Sequence, residues 1–188
     1  MLTWSEFETF AASCRSCRLC EKRNSVVIGR GCRETGRILF VGEGPGEHED
    51  REGLPFVGQA GRLFDFALEA LEFPEEAYYI ANVVKCRPPQ NRDPAPDEIE
   101  ACLKLLRQQF LLLRPTIVVA LGSVAAKALI SPDAQISKVR GQWFNKSGTM
   151  FTATYHPAAL LRNDALKFDF YRDLKEVKKR FFGPDVPQ

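Results

Sequence analysis

Arg37-Ile38-Leu39-Phe40-Val41-Gly42-Glu43-Gly44-Pro45-Gly46-Glu47-His48-Glu49-Asp50 is an apolar run that breaks into a bare, acidic turn. An apolar run without alternation suits a parallel strand buried on both faces. The glycines and the proline behind it force a tight turn at the strand's C-terminal end, the edge where open α/β sheets bind ligands. The turn lacks Gly-x-Gly-x-x-Gly and the Lys-Ser/Thr ending of a phosphate loop. Its carboxylates suit a neutral or cation-like reacting species better than a phosphate.

Outward from this stretch, helix and strand alternate. A helix over Trp4–Ala12 leads into a cysteine segment, and Ile38–Val41 is the first strand. Helix Gln59–Leu71, strand Tyr78–Val84, helix Pro96–Leu113, strand Thr116–Leu121 and helix Ser123–Leu129 follow. A hairpin-like stretch through Trp143, strand Met150–Tyr155, a helical turn after Pro157 and a last helix over Phe168–Phe181 complete the pattern. Ile117-Val118-Val119-Ala120-Leu121 has the same unalternating character as the first strand. The expected fold is α/β: a three-layer α/β/α sandwich around a short, mostly parallel four-stranded sheet. One domain is expected over 1–188, with the cysteine segment 14–20 packed onto it and a frayed tail at 183–188.

A composition of 45% hydrophobic and 27% charged residues is that of an ordinary soluble domain and excludes a disordered chain. The net charge of +2 leaves any nucleic-acid argument to local basic clusters. Met1–Phe10 has no signal-peptide core, and the most apolar stretch, Phe110–Leu121, is broken by Arg114-Pro115. A cytoplasmic protein is expected.

The six cysteines are Cys14, Cys17, Cys20, Cys32, Cys86 and Cys102. Without a secretory signal, such a cluster points to metal binding rather than disulfides. Cys14-x-x-Cys17-x-x-Cys20 is like half of a ferredoxin-type ligand run, so its partners must come from elsewhere, with Cys86 and Cys102 the candidates. Spacing alone leaves an iron–sulfur cluster, a structural zinc and unliganded thiols all open.

Each strand's C-terminal end carries unusual chemistry. The loops are Glu43–Asp50, Asn82-Val83-Val84-Lys85-Cys86-Arg87-Pro88-Pro89-Gln90-Asn91-Arg92, Gly122-Ser123, and His156-Pro157-Ala158-Ala159-Leu160-Leu161-Arg162. In a parallel sheet all four face one crevice. Taken singly, Asn82, His156 and Gly122-Ser123 have ordinary structural readings, and His48 reads as a solvated loop residue. The free N–H groups at Ser123 could also hold a phosphate. Lys85, Arg87, Arg92, Arg140 and Arg162 are expected to put cations around the crevice mouth. Leu160 and Leu161 on a loop tip would be costly unless they wedge into something such as a base stack.

Together with Leu54-Pro55-Phe56-Val57-Gly58-Gln59-Ala60-Gly61, these segments resemble the family-four uracil-DNA glycosylases, the iron–sulfur branch of that superfamily. The resemblance runs in order from about Cys14 to Val177. It implies removal of uracil from single- or double-stranded DNA, a monomeric enzyme, and a [4Fe–4S] cluster on Cys14, Cys17, Cys86 and Cys102, with Cys20 a rival ligand. Phe56 would stack on the everted base and Asn82 would read its edge. His156 would donate to O2 as the base leaves, while Gly42, Glu43 and Gly44 would form the pocket wall. Leu160 or Leu161 would fill the vacated stack, with Ser123, Arg140 and Arg162 on the DNA.

The water-activating Asp of the best-known branch corresponds to Gly44, so that base is absent here. Glu43 and Glu49 are candidates to stabilise the cationic sugar or orient the water, and Asn91 to position it. The aromatic that excludes thymine in that branch corresponds to Gly46, and Ala159 replaces an often larger residue. The rival readings are a uracil-DNA binding or cross-linking homologue, and a non-enzymatic iron–sulfur DNA-binding protein. A cross-linking homologue would carry an insertion between Asp50 and Phe56 that this chain lacks. A glycosylase that also takes hypoxanthine or xanthine is a further possibility.

Overall fold

β2 (Ile38–Gly42) is buried along its whole length. In this computed structural model, which describes residues 2–183, it lies between β3 (Tyr78–Asn82) and β4 (Ile117–Leu121), parallel to both. The tail expected to fray lies outside the described residues apart from Gly183. β6 (Thr149–Thr154) extends the parallel set beyond β4. The edges are closed by β1 (Arg30–Gly31), antiparallel to β3, and β5 (Phe144–Lys146), antiparallel to β6. The order is therefore β1-β3-β2-β4-β6-β5. The sheet has six strands where four were expected, because the added edge strands are too short to leave a periodic signal. After β2 the chain builds outward to β3, then crosses back to β4 on the other side. That reversal opens a crevice at the C-terminal ends of β2 and β4.

Alternate residues of the central strands feed two cores. Leu39, Val41, Val118 and Ala120 pack beneath α1 (Trp4–Ala12), α4 (Pro96–Leu113) and α5 (Ser123–Leu129). Ile38, Phe40, Ile117 and Val119 pack beneath α3 (Gln59–Ala70) and α8 (Leu166–Phe182). This is the three-layer arrangement expected. The ends of α4 follow local chemistry. Pro96 sits in its first turn, the Glu98 carboxylate accepts from the Ala95 N–H at 2.7 Å, and Arg114 closes it in the left-handed conformation ahead of Pro115.

The acidic stretch read as a turn forms a helix, α2 (Glu47–Glu52), capped at Gly46. At six residues it is too short to show a helical period. Its first-turn acids, Glu47, Glu49 and Asp50, favour the positive end of a helix. Asp50 is buried and accepts from the Asn24 backbone N–H at 3.0 Å and its side-chain amide at 2.6 Å, so α2 anchors the segment after the cysteines. The hairpin-like stretch contains α6 (Ile136–Val139) ahead of β5. A short α7 (Pro157–Arg162) follows β6.

Arg140, expected on DNA, is instead committed to the interior. Its Nε donates to Asp173 at 2.8 Å, its Nη2 donates to the same carboxylate, and the Thr154 hydroxyl donates to Asp173 at 2.7 Å. The guanidinium also lies over the Tyr155 ring. The pair holds the segment after α6 to α8, and through Thr154 Asp173 also ties α8 to the end of β6, two residues before His156. Replacing Asp173 with Ala strands a buried guanidinium, and we expect a loss of about 3–5 kcal/mol in urea unfolding. The double replacement Arg140→Met with Asp173→Leu should recover most of that loss.

Candidate active site

The crevice at the ends of β2 and β4 holds a cavity of about 550 Å³. Glu43, Gly44, Asn91, Asp93, Gly122, Ser123, Tyr155, His156 and Arg162 all contribute to its wall. The four strand-end loops singled out in the sequence therefore converge as the parallel sheet requires.

Behind this cavity, Asn82 and Phe56 close over Gly42. A Cβ at Gly42 would stand 2.5 Å from Asn82 Oδ1 and 2.6 Å from Phe56 Cζ, so only glycine lets both side chains meet here. Asn82 is buried at the end of β3, and its Oδ1 has no hydrogen-bond donor. An acceptor sealed from water without a partner costs about 1–3 kcal/mol. Phe56 is held at φ 57°, a conformation a bulky residue adopts only under restraint. The restraint is α3, which passes so close that a Cβ at Gly61 would fall 1.9 Å from the Phe56 carbonyl oxygen. The Phe56 and His156 rings stack with centroids 5.6 Å apart.

His156 caps α7, its Nδ1 accepting from the Ala158 N–H at 3.1 Å. That contact leaves the proton on Nε2, which is therefore the donor available for chemistry. Burial, reinforced by the Arg162 guanidinium and weakly opposed by Glu49, lowers the imidazole to about 4. His156 is a neutral donor at physiological pH. Burial, with the Asp93 carboxylate adding, raises Glu43 to about 7.

Glu49 is occupied. Its carboxylate accepts from the N–H groups of Gly46 at 3.1 Å, Val57 at 2.9 Å and Gly58 at 2.9 Å. It braces the loop that carries Phe56, with three of its roughly four acceptor sites taken by backbone donors. A side chain at position 46 would meet the same carboxylate, its Cβ 2.7 Å from Glu49 Oε2. Asn91 lies at the cavity with its Oδ1 accepting from Arg87 Nε at 2.8 Å.

The cations expected at the mouth are mostly engaged elsewhere. Arg87 also meets Glu47 at 3.3 Å, Arg92 pairs with buried Glu98 at 2.7 Å, and Lys85 is wholly buried. Arg162 is exposed at the cavity and forms no ion pair among the described residues. Leu160 is fully buried against the α3/α8 core, which removes it as a wedge. Leu161 is 50% exposed on the same turn. Ser123 is exposed at the cavity rim. Asp93 and Tyr155 were missed in the sequence as site residues, and Gly61, the last residue of the Leu54–Gly61 segment, was given no role there.

Cys14, Cys17, Cys20, Cys86 and Cys102 share a second, small cavity, while Cys32 stands apart beside β3. Among the described residues, no three Cys, His, Asp or Glu side chains gather tightly enough for a single metal ion. The cradle is lined with donors: Arg23 Nη1 reaches Cys86 Sγ at 3.3 Å, and the Lys85 N–H reaches Cys102 Sγ at 3.2 Å. Burial pushes the Cys102 thiol up to about 11.

Residues 28–177 match the family model for the uracil DNA glycosylase superfamily. The chain is 46% identical over 171 residues to the type-4 uracil-DNA glycosylase of Thermotoga maritima, covering 88% of each. It is 41% identical to the type-4 enzyme of Sulfurisphaera tokodaii over 92% of this chain and 82% of that one. It is also 40% identical to that of Archaeoglobus fulgidus, over 88% and 86% respectively.

The lowered His156 value has a direct consequence. The unfolded chain takes up this proton near 6.5 and the folded chain only near 4, so the contribution is complete above 6.5 and lost as pH falls toward 4. The difference in urea midpoint between the wild type and His156→Gln should shrink steadily across that window. A constant difference from pH 7 to 4 would contradict the neutral assignment.

Proposed function

The chain belongs to the uracil DNA glycosylase superfamily, in its type-4 branch, and from that membership we infer that it excises uracil from DNA. The N-glycosidic bond is hydrolysed, releasing uracil and leaving an abasic site. The observation that carries this reading is the orphaned Asn82 Oδ1 facing Phe56 across Gly42. Uracil N3–H supplies the missing donor, and the amide nitrogen donates to O4. Cytosine presents the reverse pattern at those atoms and would leave both amide groups buried and mispaired.

Phe56 provides the stacking surface for the everted base. His156 donates from Nε2 to uracil O2, stabilising the negative charge that grows as the bond breaks. A neutral imidazole held by the Ala158 N–H performs this without carrying a net charge. Glu43 is the carboxylate for the cationic sugar and its attacking water, with Asn91 and Asp93 beside it. Glu49 is assigned to bracing the Phe56 loop. Leu161 fills the gap in the base stack and Arg162 meets a phosphate, with Ser123 at the rim.

Cys14, Cys17, Cys86 and Cys102 hold a [4Fe–4S] cluster in this reading, with Cys20 at the same cavity. Once bound, such a cluster ties the N-terminal segment to the loop after β3 and supports structure rather than bond cleavage. The membrane plays no part in the proposal, and no helix among the described residues is long and apolar enough to cross one.

The deciding experiment is an excision assay on a uracil-containing oligonucleotide followed by alkali cleavage. Asn82→Ala should abolish excision with an unchanged circular dichroism spectrum; wild-type rates in that variant would reject the pocket assignment. Because Glu43 must be ionised to act, single-turnover rates should climb through about pH 7 and level off above it. Glu43→Gln should be slow and should lose that limb, and a retained limb would move the role to another group.

A further inference from the structure

Lys85 was expected at the crevice mouth, yet none of its surface is exposed. Its Nζ donates to the Asn82 backbone carbonyl at 2.7 Å. Its backbone N–H donates to Cys102 Sγ at 3.2 Å, and its carbonyl accepts from Val27 N–H at 2.8 Å. Among the described residues it forms no ion pair with a carboxylate, so the Asn82 carbonyl is the partner that holds its Nζ in place.

The backbone between the two sites is short, and the N–H groups of Val83, Val84 and Lys85 are all bonded. Val83 N–H donates to the Gly42 carbonyl at 2.9 Å and Val84 N–H to the Glu43 carbonyl at 3.1 Å, so β3 stays bonded to the active-site turn past its last residue. The Asn82 carbonyl would otherwise point into the interior at the start of this turn. Lys85 closes it three residues on and thereby fixes the peptide plane from which the Asn82 side chain projects.

We propose that Lys85 is a positioning residue for base recognition: anchored on the cysteine cradle through Cys102, it clamps the Asn82 main chain and so sets the angle of the amide that reads uracil. The proposal rests on the reading of Asn82 given above. It assigns the cradle a share in specificity through a contact with the pocket, beyond holding the fold together.

The test is a double-mutant cycle in binding rather than turnover. Affinity is measured by fluorescence anisotropy for a single strand carrying 2′-fluorodeoxyuridine, which resists cleavage, and for the same strand carrying 2′-fluorodeoxycytidine, which presents the reverse pattern to the Asn82 amide. Lys85→Met keeps the backbone N–H to Cys102 and removes the clamp, so iron content should stay at the wild-type level. We expect it to lower the preference for the uracil strand about tenfold in the wild type and to have no further effect in Asn82→Ala. A loss of equal size in both backgrounds, or no loss, overturns the positioning role. Should Asn82→Ala itself keep the preference, the base-reading assignment fails first, and this result is distinct from a failure at Lys85. Lys85→Gln, which retains a donor, serves if the Met variant does not load iron. If neither variant holds iron and folds, Lys85 serves stability alone and the proposal is wrong.

Discussion

A single amide oxygen, sealed from water and lacking a donor, governs how the rest of this site is built. Leaving Asn82 Oδ1 unsatisfied is unfavourable, and the surrounding structure holds it there from several directions. Gly42 removes the side chain that would collide with it, and the Phe56 ring covers it. Phe56 is in turn kept in a strained backbone conformation by the close passage of α3 at Gly61 and by the Glu49 carboxylate on the next two N–H groups. Arg37 Nε and Gln109 Oε1 are also unsatisfied and buried, but both lie away from the crevice. Only at Asn82 does the orphan coincide with a stacking surface, a neutral imidazole donor and a carboxyl raised toward neutrality.

The electrostatic layout follows from that arrangement. Low dielectric around the crevice pushes His156 down and Glu43 up, so both approach neutrality from opposite sides. An enzyme acting on a polyanion benefits from few fixed charges beside the reacting sugar and from cations kept at the rim. Here Arg87, Arg92 and Arg140 are already paired with carboxylates, which limits the nonspecific pull on DNA, while Arg162 has no ion pair among the described residues.

What could be read in the sequence was set by how local its cause is. The central strands were legible because burial on both faces leaves an unbroken apolar run, and the ends of α4 because Pro96 and Arg114-Pro115 mark them chemically. The convergence of four loops followed from parallel topology once those strands were placed. Side-chain commitment was not legible. Arg140 and Lys85 look like surface cations in one dimension, and only tertiary packing sets Arg140 against Asp173 and Lys85 beneath Asn82. Leu160 and Leu161 are equivalent in composition, but the rotation of α7 sends the first into the core and leaves the second outside. Glu49 was a plausible catalyst by residue type, and its three backbone donors come from both sides of α2, a helix too short to announce itself.

The two short antiparallel edge strands have a further consequence. A parallel sheet of this kind would otherwise end in β3 and β6, each presenting a row of free amide and carbonyl groups to any passing chain. β1 covers one margin with two residues, Arg30 and Gly31, and β5 covers the other with three residues ending in Lys146. Neither is long enough to template another strand, so the sheet is protected from stacking end on end with its neighbours at high concentration.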